Sequence, residues 1–298
     1  MEKNNVQNLP LSAKDGGLAF SLMIIVYMVF SFFGQAIISL FCEKGSAVYI
    51  AISSVITALS VFSVTVYFSK SKKIGYFDIC KVKKFKPTAI FAVLFLSIGM
   101  FFGLGFINGA FSTLLKNAGL SVGELILPLE NVGHLILFSV VLALLPAVVE
   151  ELFFRGLMLT ALKNVKVVYA AIYIAISFAL YHCSIAQLFY QLIYGAALTF
   201  LAVYAGSIIP CVIVHFINNF TVIILEYFNV GINLYHPLVI SLGLVALAIY
   251  SVIIAVSLIR RDKKTEIEKR SAVGFYLPFG AFGTVICLAL LIMNLFAV

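Results

Sequence analysis

Three charged residues, Glu150, Glu151 and Arg155, stand inside an apolar run of the sequence. An ionisable side chain at membrane depth is costly unless it is paired or faces a polar cavity, so such a residue marks a functional site by default. In one helix over residues 133–162, Glu151 and Arg155 share a face and can form an ion pair, whereas Glu150 points about 100° away. Pro146 lacks a backbone donor, which predicts a kink just before the two acids. The pattern therefore predicts one carboxylate neutralised by arginine and a second carboxylate available for chemistry.

Three more polar residues, His182, His215 and Asn219, are predicted to reach the same depth in the bilayer. At about 1.5 Å of rise per residue, their distances from the predicted helix ends overlap with that of Glu150. His215 and Asn219 are four residues apart and share one helix face. A partly desolvated carboxylate can act as a general base toward water, a histidine can help to hold the water, and a His/Asn pair can stabilise an oxyanion. The set predicts water-based acyl hydrolysis, and the sequence has no G-x-S-x-G or H-E-x-x-H motif that would indicate a different site.

The composition indicates which elements must position these residues. The 298 residues are 63% hydrophobic and 11% charged, with a mean hydropathy of +1.14, which is far from the composition of a soluble domain. A helix needs about 20 apolar residues to cross a bilayer. Segments of this kind cover residues 17–41, 47–69, 88–113, 133–162, 167–184, 187–205, 207–228, 237–259 and 273–297. We therefore predict an all-α fold, a polytopic transmembrane helical bundle of eight to nine spans with an intramembrane polar cavity.

The basic residues are distributed unevenly between the two sides of this bundle. With the N-terminus inside, 17 of the 20 Lys and Arg residues fall in cytoplasmic segments, and only Lys44 and Lys116 fall outside. The positive-inside rule therefore predicts a cytoplasmic N-terminus. Because the charges form short blocks between spans, they indicate contact with the headgroups of the lipid bilayer, and no nucleic acid partner is expected despite the net charge of +8. The five cysteines show no CxxC spacing and are interpreted as apolar fillers.

The charged and polar motifs resemble those of the CAAX-protease and bacteriocin-processing family of intramembrane endopeptidases, which includes type 2 CAAX prenyl endopeptidases and lysostaphin-resistance-like proteins. The family's motifs occur in order: E-E-x-x-x-R at Glu150, Glu151 and Arg155, F-x-x-x-H at Phe178 and His182, and H-x-x-x-N at His215 and Asn219. The resemblance implies a catalytic core in residues 130–230, preceded by transmembrane helices of unassigned role in residues 1–129 and followed by C-terminal transmembrane helices in residues 231–298. It implies catalytic roles for Glu150, Glu151, Arg155, His182, His215 and Asn219.

The function implied by this resemblance is an intramembrane endopeptidase that cleaves a membrane-associated peptide or protein substrate. The reaction would serve CAAX-like processing, or bacteriocin-related peptide processing or immunity. Two mechanisms are open: a zinc metalloprotease with His182, His215 and Glu150 as ligands and water in the fourth position, or direct activation of water by Glu150 and His182 without a metal. Direct activation is favoured because Asn219 beside His215 suits an oxyanion better than a soft metal.

Two other function classes are compatible with membrane-buried acids and histidines. An ion-coupled transporter would use them as a proton relay, but the sequence shows no internal repeat of the kind common in such carriers. A non-catalytic immunity or scaffold protein would keep only the helical frame, and the intact motifs argue against it. The small size and the lack of an organelle signal indicate an integral protein of a bacterial cytoplasmic membrane.

Overall fold

The protein is helical throughout the part of the chain that the computed structural model describes, residues 11–120, 122, 126–232, 234–262 and 273–296. These residues form ten helices and no strand. The helices are α1 Ala13–Ile38, α2 Ala47–Ser71, α3 Tyr76–Cys80, α4 Ala89–Asn117, α5 Val132–Ala161, α6 Val167–Tyr181, α7 Leu188–Ala205, α8 Ile209–Tyr227, α9 Pro237–Asp262 and α10 Val273–Phe296. The predicted all-α fold class is confirmed.

Each of the nine predicted apolar segments coincides with a helix, and α3 is a short addition between α2 and α4. Seven of the helices are long and apolar enough to cross a membrane, while α6 and residues Gly280–Met293 of α10 are shorter apolar segments. Large apolar side chains such as Phe32, Phe41 and Leu238 are exposed on the outside of the bundle, where a lipid-facing surface places them. The chain is therefore an integral membrane protein built as a polytopic helical bundle.

Close approaches between helices fix the frame around the site. Helix α1 packs against α2 and α10, α6 packs against α7, and α9 packs against α4. In the last pair, a Cβ atom added to Gly243 would lie only 2.0 Å from the backbone nitrogen of Gly103. No side chain fits there, so the glycines allow the two backbones to touch.

The bundle has two ends that differ in their residues. The lysine end comprises residues 70–86, 162–166 and 206–208, and the far end comprises residues 39–46 and 228–232. At the lysine end, Lys72 forms an ion pair with Asp15 at 2.6 Å, which holds the end of α2 against the start of α1. The Ser207 hydroxyl donates to the carbonyl of Lys83, so the loop before α8 is also tied to the lysine-rich segment.

Helix α5 is not a uniform α-helix. Two π-helical turns, Ser139–Leu144 and Leu152–Met158, flank the α-helical segment Leu145–Glu151 that carries both acids. Pi-helical turns inside longer helices are frequent at functional sites. At the place where the sequence predicts a kink, the structure has a π-helical turn followed by Pro146 in the first turn of the acidic segment.

Candidate active site

One cavity collects four of the six predicted site residues. It has a volume of about 650 Å³, and Glu150, His182, His215 and Asn219 all line it. The other two predicted residues, Glu151 and Arg155, are fully buried, and Glu151 contacts His215 from behind the cavity wall. The three separate motifs of the sequence thus meet at one place in the fold.

The predicted ion pair within α5 is present. Arg155 Nη1 donates to Glu151 Oε1 at 2.8 Å, and neither side chain is exposed. Arg155 Nη2 donates to the carbonyl of Gly195 in α7 at 3.1 Å. The guanidinium also lies over the ring of Phe178 in α6, 4.5 Å from its centroid, a cation–π distance. Arg155 therefore joins three helices as well as neutralising Glu151.

Glu151 also binds the first histidine of the H-x-x-x-N motif. The same Oε1 atom that accepts from Arg155 lies 3.0 Å from Nδ1 of His215. An ionised carboxylate can only accept hydrogen bonds, so Nδ1 of His215 carries the proton in this contact. The remaining ring nitrogen, Nε2, is then directed to the other acid, with 3.9 Å between it and Glu150 Oε2. Helical periodicity does not predict this contact, because the two residues are 64 positions apart in the sequence and lie on different helices.

His182 is held in a similar way but by the backbone. Helix α6 ends at Tyr181, so His182 occupies its C-cap and does not lie inside the helix as the sequence predicted. Its Nδ1 donates to the carbonyl of Phe178 at 2.8 Å, because a carbonyl oxygen can only accept. The two rings also contact each other, with 4.7 Å between their centroids. Both histidines therefore have Nδ1 occupied and Nε2 left for the cavity.

Glu150 is the acid without a fixed partner. Its residue is 8% exposed, and its Oε2 atom is buried and has no hydrogen-bond partner among the residues that the structure describes. The side chain also lines a second cavity of about 480 Å³ between α1, α2 and α5. A buried carboxylate with an unoccupied oxygen, next to space that can hold water, has the features of a general base.

Asn219 is tied to the irregular part of α5. Pro146 has no N–H group, so the carbonyl of Leu142 lacks the donor that an α-helix would supply four residues later. Asn219 Nδ2 donates to this carbonyl at 3.4 Å. An amide group has two N–H donors, so one of them remains available to the cavity. His215 and Asn219 line the same cavity. The single N–H group of His215 is bound to Glu151, so of this pair only Asn219 keeps a donor for the cavity.

The sequence did not predict several further polar residues that line the cavity, among them Tyr190, Tyr194 and Asn218. The hydroxyl of Tyr190 donates to Asn218 Oδ1 at 2.6 Å, and Asn218 Nδ2 donates to Asn219 Oδ1 at 3.3 Å. This chain of hydrogen bonds orients Asn219. The hydroxyl of Tyr194 is buried and has no hydrogen-bond partner in the described part of the chain. The only signal in the sequence was the spacing of two tyrosines four apart in an apolar span, which puts both on one helix face.

The residues predicted to hold zinc do not form a metal site in this geometry. Within the described ranges, no three His, Cys, Asp or Glu side chains are grouped closely enough to hold a metal ion. A catalytic zinc needs three protein ligands at about 2.0–2.2 Å from the ion. Glu150 and His215 approach each other at 3.9 Å, but His182 does not complete a set with them. We therefore derive no reaction step through a metal.

A comparison with known protein families finds a match over the part of the chain that contains the six predicted site residues. Residues 132–221 match the family model described as type II CAAX prenyl endopeptidase Rce1-like. No curated protein and no solved structure matches the chain significantly. The matched segment runs from the start of α5 into α8 and contains all three motifs, so the resemblance inferred from those motifs is confirmed.

Proposed function

We propose that this member of the CAAX-protease family, whose Rce1-like segment is residues 132–221, hydrolyses a peptide bond with a water molecule activated by Glu150. The family is one of membrane proteases, and this supports peptide hydrolysis as the class of reaction. The finer assignment of roles is supported by a single observation: an unpartnered buried carboxylate and the Nε2 atoms of two fixed histidines belong to one cavity.

The first step of the proposed reaction is attack by water. Glu150 removes a proton from the water while its oxygen bonds to the carbonyl carbon of the substrate, and the carbonyl electrons move to the oxygen. The second O–H of the water donates to one of the two Nε2 atoms, of His182 or of His215, and this hydrogen bond orients the water. The orientation of both rings is preserved because Phe178 and Glu151 hold the two Nδ1 atoms. Collapse of the tetrahedral intermediate breaks the C–N bond, and Glu150 returns the proton to the leaving amine.

The second element of the proposed reaction is stabilisation of the oxyanion. The free N–H of Asn219 and the unpartnered hydroxyl of Tyr194 are donors on the lining of the same cavity. Donors fixed before the reaction, in a site with little water, stabilise developing negative charge strongly. Asn219 is fixed by Leu142 and Asn218, and Tyr194 is fixed by burial among Phe178 and His215.

The proposal is tested by peptide cleavage with the purified protein in detergent. Two sets of internally quenched peptides serve as probes: farnesylated peptides that end in Cys-aliphatic-aliphatic-X, and unprenylated apolar peptides of bacteriocin type. We expect cleavage of one set by the parent protein and loss of cleavage by about 10²–10⁴-fold in Glu150→Gln, the usual range for a general base. Glu226→Gln is the matched control, since Glu226 lines the same cavity but is exposed. Equal cleavage by Glu150→Gln and Glu226→Gln would refute the assignment.

We further propose that the protein resides in a bacterial cytoplasmic membrane with its N-terminus in the cytoplasm. The asymmetry of lysine and arginine between alternate connections supports this orientation. Both a CAAX-like C-terminus and a bacteriocin-related peptide fall within the proposed substrate class. They differ in the membrane face on which they meet the enzyme.

A further inference from the structure

The lysine end of the bundle closes the active-site helix from one side. Residues 153–161 of α5, which follow the two acids toward this end, are all buried. The short helix α3 packs on them: the Thr160 hydroxyl donates to the carbonyl of Ile79, and a Cβ atom at Gly156 would meet the backbone of Cys80 at 2.9 Å. No room for a peptide remains between α3 and this part of α5.

The segment that follows α3 continues this closure around the start of α8. Ser207 donates to the carbonyl of Lys83, and the backbone N–H of Ile208 donates to the carbonyl of Lys81. Helix α8 therefore begins in contact with the lysine-rich segment, and His215 lies about 9 Å further along it, at 1.5 Å per residue. Protein therefore closes the cavity on the side of the lysine end.

The cavity extends in the opposite direction. Its lining follows one side of α8 from His215, through Asn219, to Glu226, a distance of about 16 Å along the helix. His215 is 3% exposed, whereas Glu226 is exposed, so the cavity runs from the buried site to the surface. Gln187, in the connection between α6 and α7, is also exposed and lines the cavity. Glu226 lies next to the far end, and Gln187 lies beyond the end of α6 that is remote from the lysines.

The second cavity at Glu150 points the same way. It is lined by Gln35 near the end of α1 and by Tyr49 near the start of α2, as well as by Glu150. The α1–α2 connection belongs to the far end, so both spaces that touch Glu150 lead away from the lysines. The lysine-rich connections are the ones that the positive-inside rule places in the cytoplasm.

We propose that the active site is reached from the extracytoplasmic face, through the mouth marked by Gln187 and Glu226. This inference rests on the proposed hydrolysis and specifies its substrate class: an exported or outer-leaflet peptide, or the outer end of a membrane-spanning one. A prenylated C-terminus of a cytoplasmic protein would arrive at the closed lysine end and would not reach Glu150.

Cysteine labelling tests the direction of access without any need for a substrate. Glu226→Cys at the mouth and Lys84→Cys at the lysine end are both exposed positions, and each is introduced into the full chain carrying Cys42→Ser and Cys183→Ser, since the other three native cysteines are buried. In intact bacterial cells, a membrane-impermeant maleimide is expected to label Glu226→Cys and not Lys84→Cys, and permeabilisation should expose Lys84→Cys. Labelling of Lys84→Cys in intact cells, or no labelling of Glu226→Cys in any condition, overturns the proposal.

Cleavage in sealed vesicles tests the same direction for the reaction itself. Right-side-out and inverted membrane vesicles are given an internally quenched peptide that the detergent-solubilised protein cleaves, extended with charged residues so that it does not cross the bilayer. We expect at least tenfold faster cleavage in right-side-out vesicles, and a block of this cleavage when Glu226→Cys is modified by a bulky impermeant reagent. Faster cleavage in inverted vesicles overturns the direction of access while leaving the proposed hydrolysis intact. Failure to cleave any peptide even in detergent, with the expected labelling pattern, overturns the hydrolysis and leaves the direction of the mouth standing.

Discussion

At the scale of single residues, two adjacent acids occupy unlike environments. Glu151 is fully buried and its Oε1 contacts both Arg155 and His215, whereas Glu150 has a free oxygen in the cavity. The difference follows from the 100° rotation between consecutive helical residues. Arg155, one turn further along the same helix, pairs with Glu151, and His215 of α8 contacts the same oxygen.

The two acids are expected to respond differently to substitution. Glu150→Gln keeps the shape and removes the base, so cleavage should be lost while the melting temperature in detergent stays near that of the parent. Glu151→Gln and Arg155→Ala each leave one buried charge without its partner, at a cost of about 3–5 kcal/mol, so both stability and activity should fall. Melting in detergent and turnover are measured on the same preparations. A stable but inactive Glu151→Gln beside an active Glu150→Gln would reverse the two roles.

Tyr194 gives a second prediction at this scale. Its buried hydroxyl has no hydrogen-bond partner within the described ranges, so Tyr194→Phe removes none of the described hydrogen bonds and should not lower the melting temperature. If the hydroxyl binds the oxyanion, kcat should fall by about 10²–10³-fold with little change in KM, as for the loss of one oxyanion donor. Tyr204→Phe, which removes a hydroxyl bound to Thr88 at the lysine end, is the control and should leave kcat unchanged. An unchanged kcat in Tyr194→Phe would remove this residue from the mechanism.

Direct activation of water also predicts the effect of metal removal. Because the described side chains do not form a three-ligand metal site, exhaustive dialysis against a chelator should leave cleavage largely intact. The measurement is turnover before and after dialysis, alongside the metal content of the sample. Loss of cleavage that is restored by one equivalent of zinc would establish a metalloenzyme, with Glu150, His182 and His215 as the ligands to test first.

At the scale of elements, the irregular first half of α5 and the polar face of α8 act together. Pro146 leaves the carbonyl of Leu142 without its helical donor, and Asn219 of α8 supplies one. Asn219 is in turn connected to Asn218 and Tyr190. The same side chain that lines the cavity therefore also contacts the irregular part of α5.

This linkage predicts an interaction energy between Pro146 and Asn219. Asn219→Ala leaves the Leu142 carbonyl without its side-chain donor, which should lower stability by about 1–3 kcal/mol. In a Pro146→Ala background residue 146 regains an N–H group, so the same change should cost less, and the double-mutant cycle should show coupling of about 1 kcal/mol. Unfolding free energies of the parent, both single variants and the double variant provide the test. Additive effects would show that Asn219 does not act through this carbonyl.

The sequence predicted the elements better than the contacts between them. Each apolar segment became a helix because length and hydropathy suffice to specify a span, and the Glu151–Arg155 pair formed because it is local to one helix. The contact between Glu151 and His215, the capping position of His182 and the polar residues of α7 were not predicted. They depend on how separate helices are rotated and placed relative to each other, and no local periodicity encodes that.

At the scale of the whole molecule, one asymmetry connects folding, orientation and access. The lysine-rich connections, which the positive-inside rule predicts to be cytoplasmic, are the same segments that pack over the end of α5 and the start of α8. The far end has few basic residues and contains the mouth of the cavity. The predicted orientation and the position of the cavity mouth together support the proposed access from the extracytoplasmic face.

The orientation itself is predicted independently of any activity. A reporter fused after Lys86, in the connection before α4, should be cytoplasmic, and one fused after Leu120, beyond α4, should be external, because 17 basic residues lie on one side and two on the other. Paired reporters active only in the cytoplasm or only outside are compared at both positions. Replacing Lys81, Lys83, Lys84 and Lys86 by Gln weakens the bias and should increase the inverted fraction at both positions, whereas replacing Lys44 and Lys116 should not. If the reporter after Lys86 is external and the one after Leu120 is cytoplasmic, the cavity mouth lies on the cytoplasmic face. The C-termini of cytoplasmic proteins could then reach the site.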